Sequence, residues 1–375
     1  MKYMNLSYIF INLCIIFLIV LFVTEYNPKT LLNEKIVTHS EKNFYEKSDV
    51  GTDVFRLTAD PGNDKIFYQE PNYFNPQDSL FLFKSDRDNG KEKIYLLNLR
   101  SGEIIQLRES SSFGHIPTWS IDGKEVYIGT KGEIIVTPIK DVKERRIRIP
   151  DDSWITFLHV NPSGDKIIFV EESADGHKGL AVVNVNGSDY KRLFSTDNKS
   201  VFYIDHPTFI DNNKILFLTR GKNRDFTGDY NKPYILDLNG ALSRLPLECS
   251  HYDINFQGDK ILCASEGYII NLNGDILQSF SELRGHGVWA PDGITFLMTG
   301  DPVSVSERYF GKIVIMIFGS NISYNLVSHE STYNSSLEVH IQPNAQFSRN
   351  GRYVIYESDR GKSQNSDLYL VTVPE

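Results

Sequence analysis

The segment GHGVWAPDG (285–293) decides the fold, because its second half recurs along the chain. The recurring unit is an aromatic or apolar residue, three turn residues, a glycine (or Asp or Asn), and then an apolar strand. It reads FNPQD at 74–78, WSIDG at 119–123, VNPSG at 160–164, FIDNN at 209–213, INFQG at 254–258, WAPDG at 289–293 and FSRNG at 347–351. Pro, Asp, Asn and Gly are the residues that tight turns select. The copies stand about 35 to 58 residues apart.

Outward from each turn the pattern continues in the same way. A strand follows, as at Leu80–Phe83, Lys166–Val170, Lys214–Leu218 and Tyr353–Glu357. A second follows at Ile94–Leu99, Leu180–Val185, Tyr234–Leu238, Ile269–Leu272 and Leu368–Val373, then turn pairs such as Asn186-Gly187 and Asn239-Gly240. Several units end on an outer strand, as at Ile104–Leu107 and Tyr190–Leu193. Beyond residue 54 almost no stretch carries the 3.6-residue period of a helix. Four strands at a period near 45 residues are the pattern of a propeller blade. Seven copies therefore predict an all-β, seven-bladed β-propeller over residues 51–375. The last unit ends at Val373 with no room for a fourth strand. The strand Val54–Leu57, which precedes the first unit, is expected to complete the seventh blade, since an open ring leaves strand edges unpaired. Two β-sandwich domains are the rival reading, but sandwiches do not require this even spacing.

Composition bounds the rest. With 41% hydrophobic and 23% charged residues among 375, the chain has ample apolar mass for a core, which excludes wholesale disorder. Lys and Arg number 39 against 48 Asp and Glu, giving a net charge of −9. The one basic run is Lys140 to Arg148, so a nucleic-acid partner is not expected. Cys14, Cys249 and Cys263 cannot build a disulfide framework, and whether the last two pair is left open.

Residues 5–23, NLSYIFINLCIIFLIVLFV, are uncharged and almost entirely apolar. As a helix they span roughly 28 Å, about one hydrocarbon core. Lys2 precedes them, as a retained positive end requires. The exit Val23-Thr24-Glu25-Tyr26 is a poor cleavage site, and Ile11-Asn12-Leu13 before Cys14 is no lipobox. Residues 1–24 are read as a transmembrane anchor or a signal peptide, 25–50 as a linker, and the propeller as lying in the periplasm or outside the cell. Membrane attachment through the anchor, or secretion after cleavage, follows from that choice.

The histidines carry the functional signal. His206, His251 and His286 each stand seven residues before the turn residue of their copy, at Asn213, Gly258 and Gly293. Asn344 holds the same place before Gly351, with His340 and Gln342 just ahead of it, and His115 is one position out of register. The inner strand of every blade lines the central channel, so residues in one register converge on one mouth. Neutral imidazoles with amide oxygens suit a divalent metal, and an imidazole also suits a general base. Arg220, Lys222 and Arg224, in the blade-four loop, could add positive charge for an acidic ligand. Residues 301–339 are the longest stretch between turn copies and are expected to act as a lid or binding loop.

Segments RLTADPGND (56–64), LFKSDRDNGKEKIYLLNLRSGEIIQLRE (82–109), IDHPTF (204–209), CSHYDINFQGD (249–259), GHGVWAPDG (285–293) and NAQFSRNGRYVIYESDRG (344–361) resemble the oligogalacturonate lyases, seven-bladed propellers related to TolB-type domains. The SDRDG- and PDG-type pieces are shared by TolB-like propellers at large. The resemblance implies cleavage of short pectin fragments by β-elimination with a divalent metal, Mn²⁺ first and Ca²⁺ second. It implies that His251 is the base, that His286 is a metal ligand, and that Lys232 stands where the family has an arginine at the reacting centre. The family's His-Pro-His ligand pair is Gln342-Pro343-Asn344 here, and a further ligand position is Val339, with His340 beside it. The expected substrate-binding residues are His206, Arg220 and Arg224, and the expected partner is an acidic oligosaccharide. The alternative is a membrane-tethered, TolB-like propeller that binds a protein or glycan without catalysis.

Overall fold

A computed structural model describes residues 37–374, apart from 60–61, 69, 110–115, 141–142, 151, 175, 196–201, 222–230, 281–282, 301–310, 335–338 and 361–364. Seven antiparallel sheets of four or five strands each form one blade, and a small two-stranded sheet, Tyr333–Asn334 with Val339–His340, lies before the last blade in the chain. Blade three shows the plan. Trp154–Val160 runs innermost, Lys166–Glu172 and Lys178–Asn184 follow, and Lys191–Ser195 lies outermost. The middle strands are almost wholly buried and rich in Val, Ile and Phe, as strands covered on both faces must be.

The turn copies form as their residues dictate. Asn161 Oδ1 accepts from the amides of Asp165 and Lys166 at 3.0 and 2.9 Å, and Asn255 Oδ1 accepts from Asp259 and Lys260 at 3.0 Å each. Ser120 and Ser348 do the same with their hydroxyls. The glycine of the unit sits at positive φ, 66° at Gly293 and 75° at Gly164, where a Cβ would be strained. Asp122 and Asp292 cap the amides of the same turns. Neighbouring turns are also tied together: Ser163 N donates to Asn212 Oδ1 at 2.8 Å, and Arg349 N to Asp78 Oδ1 at 2.6 Å.

The core is distributed around the ring. One cluster joins blades three and four through Val170, Phe209 and Phe217, the next joins four and five through Leu216, Tyr252 and Ile261, and another joins five and six through Trp289, Phe296 and Leu262. Blades one and seven meet in the largest cluster, with Leu57, Phe83 and Leu370.

The ring closes at blade seven. Asp53–Arg56 pairs with the last strand, Asp367–Thr372, bringing Val54 opposite Val371. The stretch read as a linker does more than connect: Asn43–Lys47 adds a fifth strand outside Asp53–Arg56, and Val37–Thr38 extends blade one. Residues 301–339 differ from expectation as well. Lys312–Ile317 and Ser323–Ser328 are the two outer strands of blade six, so this part of the stretch is blade and not lid. The apolar stretch 5–23 lies outside the described residues. Among the described residues no helix is long and apolar enough to cross a membrane.

Candidate functional site

The three in-register histidines meet at one end of the channel. His251 and His286 lie edge to face with ring centroids 4.4 Å apart. Tyr68 bridges them to His206: its ring stacks on His206 at 4.5 Å and stands 5.7 Å from His286 and 6.5 Å from His251. Phe157 closes the other side of His206, edge-on at 5.0 Å.

Local structure explains the convergence. The inner strand of blade four is bulged between Asp205 and Thr208, and His206 inside the bulge has φ 50°. The inner strand of blade three is bulged likewise, with Phe157 at φ 52°. Phe157 is seven residues before Gly164, so it is the blade-three member of the histidine register. Bulges of this kind re-aim side chains. In blade six, Gly287 permits the close fit of the inner strand: a Cβ there would stand 2.5 Å from Met298 Sδ and 3.0 Å from Leu297 O.

His251 is held by blade five. A disulfide joins Cys249 to Cys263, two residues before His251 and two before Ser265. His251 Nδ1 and the Ser265 hydroxyl share a hydrogen bond, and that hydroxyl donates to Gly285 O at 3.3 Å. A hydroxyl has one hydrogen, so it accepts from Nδ1–H and leaves Nε2 as the basic nitrogen of the neutral ring. The adjacent Glu266 carboxylate accepts from the Ser250 amide at 3.0 and 3.1 Å, steadying the same loop.

Tyr68 belongs to a channel segment that sequence reasoning missed. Residues 66–73 are held by Gln346 on blade seven, whose Nε2 donates to Tyr68 O at 3.2 Å and Pro71 O at 2.9 Å. Glu357 Oε2 accepts from Ile66 N at 2.7 Å, and its other oxygen faces Asn344 Nδ2 at 3.4 Å. Burial pushes the Glu357 carboxyl up to about 8. The only sequence signal for it is one acidic residue inside the apolar run VIYES.

Lys232 begins the third strand of blade four and faces Glu248 Oε1 at 3.6 Å. Asn344 is buried at φ 42°, its Oδ1 without a hydrogen-bond partner, and Gln342 is half-buried. His340 and Arg220 lie on strands whose side chains there are outside the description, and His115, Lys222 and Arg224 lie outside the described residues. Among the described residues no three His, Cys, Asp or Glu side chains form a group able to hold a metal. Of the residues expected as metal ligands, His286 and Asn344 are described at the register position, beside the imidazoles of His206 and His251, and Asn344 Oδ1 has no hydrogen-bond partner among the described residues. One imidazole and one amide oxygen by themselves would hold a divalent ion only loosely.

No family model and no curated protein matches the chain. Among solved structures, an oligogalacturonate lyase in complex with manganese matches at TM-score 0.73 and 16% identity, covering 91% of this chain and 98% of that one. An oligogalacturonate lyase from Vibrio parahaemolyticus matches at TM-score 0.73 and 14% identity, covering 91% and 99%. The fold is that of the oligogalacturonate lyases. The match spans nearly the whole of both chains, so it covers the full ring and not a shared blade motif.

Proposed function

We propose that the histidine end of the channel binds a short acidic oligosaccharide and cleaves it by β-elimination, as an oligogalacturonate lyase-like enzyme. The observation that carries this reading is the meeting of His206, His251 and His286 around Tyr68 at ring separations of 4.4 to 6.5 Å. His251 Nε2 takes the C5 proton beside the uronate carboxylate, the C5 electron pair forms the C4–C5 double bond, the C4–oxygen bond breaks and the leaving sugar oxygen takes up a proton, while Ser265 keeps the other ring nitrogen of His251 protonated. Tyr68 and His206 present a stacked aromatic face for a sugar ring. Lys232 offsets the carboxylate's charge once it leaves Glu248, and Arg220 and Arg224 extend that positive spot. A divalent ion, Mn²⁺ or Ca²⁺, held by His286, Asn344 and Gln342 with His340 nearby, would draw charge from the same carboxylate. Manganese is suggested by the solved structure that contains it.

The propeller is proposed to work outside the cytoplasm, tethered by residues 5–23. The Cys249–Cys263 disulfide supports an oxidising compartment.

The test is incubation of the protein with oligogalacturonides, with and without added Mn²⁺, followed by the ultraviolet absorbance of unsaturated uronate. His251→Ala should cut the rate by about a hundredfold or more. A wild-type protein that binds the sugars without producing unsaturated ends would turn the reading to the non-catalytic propeller. Full activity in His251→Ala would remove the base.

A further inference from the structure

A cavity of about 530 Å³ opens at the other mouth of the channel, ringed by the inner-strand turns of all seven blades. Its size is that of a small-molecule site. The wall is largely apolar: Phe209 and Ile210 from blade four, Ile121 from blade two, and Phe256 from blade five. Phe256 is 83% exposed and Ile121 48%, so the rim is apolar as well.

One permanent charge stands in this apolar setting. Arg349, from the blade-seven turn, lines the cavity and has solvent access through it. Its Nε donates to Phe74 O at 3.3 Å, while Asp78 is engaged with the backbone amides of Arg349 and Asn350. Among the described residues no carboxylate forms an ion pair with its guanidinium, whereas Arg56, Arg87, Arg145 and Arg360 all have such partners. Desolvation pushes the Arg349 guanidinium down, opposed by Asp78.

His159 stands on the far side, from blade three. Its Nδ1 accepts the Phe209 amide at 3.4 Å, so the neutral ring presents Nε2–H as a donor. Desolvation first, and Arg349 second, push it down to about 4, so the ring is neutral at physiological pH. On the floor, burial raises both Glu70 and Asp253, so each resists becoming a counter-charge for Arg349.

We infer that this mouth binds a small organic carboxylate with an apolar body, the carboxylate seated on the Arg349 guanidinium and the body against Phe209, Ile121 and Phe256. A guanidinium fork matches a carboxylate in two parallel hydrogen bonds, and an apolar surround strengthens such a pair. The site is separate from the histidine end and does not depend on the lyase reading.

The test uses the full chain and two probes of one shape, 3-phenylpropanoate and 3-phenylpropanamide, titrated by calorimetry. The carboxylate should bind at least about tenfold more tightly than the amide. Arg349→Met should erase that preference, and Arg349→Lys should keep part of it, with thermal melts confirming that both variants fold. His251→Ala should leave it unchanged, and oligogalacturonides should not displace the probe. Equal binding of the two probes, binding of neither, or a preference that survives Arg349→Met would overturn the inference. Displacement by oligogalacturonides would overturn it too.

Discussion

Phe157, His206 and Asn344 occupy one place in three blades and share left-handed backbone, at φ 52°, 50° and 42°. A non-glycine residue held there costs on the order of 1–3 kcal/mol, which surrounding structure must offset. At His206 the Tyr68 stack and the Tyr252 hydroxyl on its carbonyl do so. His206→Val should therefore destabilise the protein by about 1–3 kcal/mol in urea melts, because a β-branched residue tolerates this φ worst. His206→Asn, tolerant of the conformation, should stay near wild-type stability while losing the proposed affinity for acidic sugars. Asp253 gives a pH signature. Burial raises its carboxyl from the usual value to about 7, against hydrogen bonds from the amides of Trp289 and Ile254. The folded state then holds a proton that the unfolded chain has released, so stability is fully present near pH 4 and falls as pH climbs through about 7. Asp253→Asn, which keeps an acceptor for Trp289, should flatten that decline in melts taken across the range. The histidines were legible because they repeat at a fixed offset from a turn. Tyr68 was not, because blade one's inner segment carries no such offset and is placed by Gln346 and Glu357 from 280 or so residues away in the chain.

At the scale of strands and turns, the legible parts were those with local chemistry. The Asn and Ser caps and the positive-φ glycines lie within a few residues of what they cap, so the seven turns and the strands after them could be read directly. Asn43–Lys47 escaped because its alternation is short and polar, and its burial comes from blade seven: Tyr45 packs edge-on at 5.3 Å against Tyr369. The outer strands of blade six were hidden by the missing outer-turn signal within a long spacer. The Cys249–Cys263 pair ties the start of blade five's inner strand to the end of the next, across 14 residues. A loop of that length gives a stabilisation of about 3 kcal/mol. The double variant Cys249→Ser/Cys263→Ser should lose about that much in denaturant melts. The proposed lyase rate at low temperature should fall too, because the bridge fixes both His251 and Ser265. An unchanged midpoint would show that the blade needs no covalent tie.

Closure governs the molecule as a whole, since each blade buries its faces only against two neighbours. The seam between blades seven and one is sewn by the N-terminal segment, and two arginines anchor it. The side chain of Arg87 is buried between Asp64 at 2.8 Å and Glu41 at 3.0 Å. Arg360 pairs with Glu46 at 2.7 Å and lies over the rings of Tyr45 and Tyr369. Both belong to Ser-Asp-Arg triplets, at 85–87 and 358–360, which explains why that motif marks the fold and not the chemistry. Arg87→Leu leaves Asp64 buried without its partner, at a cost of about 3–5 kcal/mol. Because the ring shares its core from blade to blade, the loss should be felt everywhere and not only at the seam. Trp119, Trp154 and Trp289 sit in blades two, three and six and report on distant arcs of the ring. In Arg87→Leu, the tryptophan fluorescence and far-ultraviolet dichroism transitions should shift together to lower denaturant and remain coincident, as one cooperative unit requires. A fluorescence transition left in place while the dichroism shifts would mean that blades two to six hold without closure. The N-terminal strands would then be an ornament to the ring, and the sequence reading of Val54–Leu57 as its clasp would describe geometry without energetic weight.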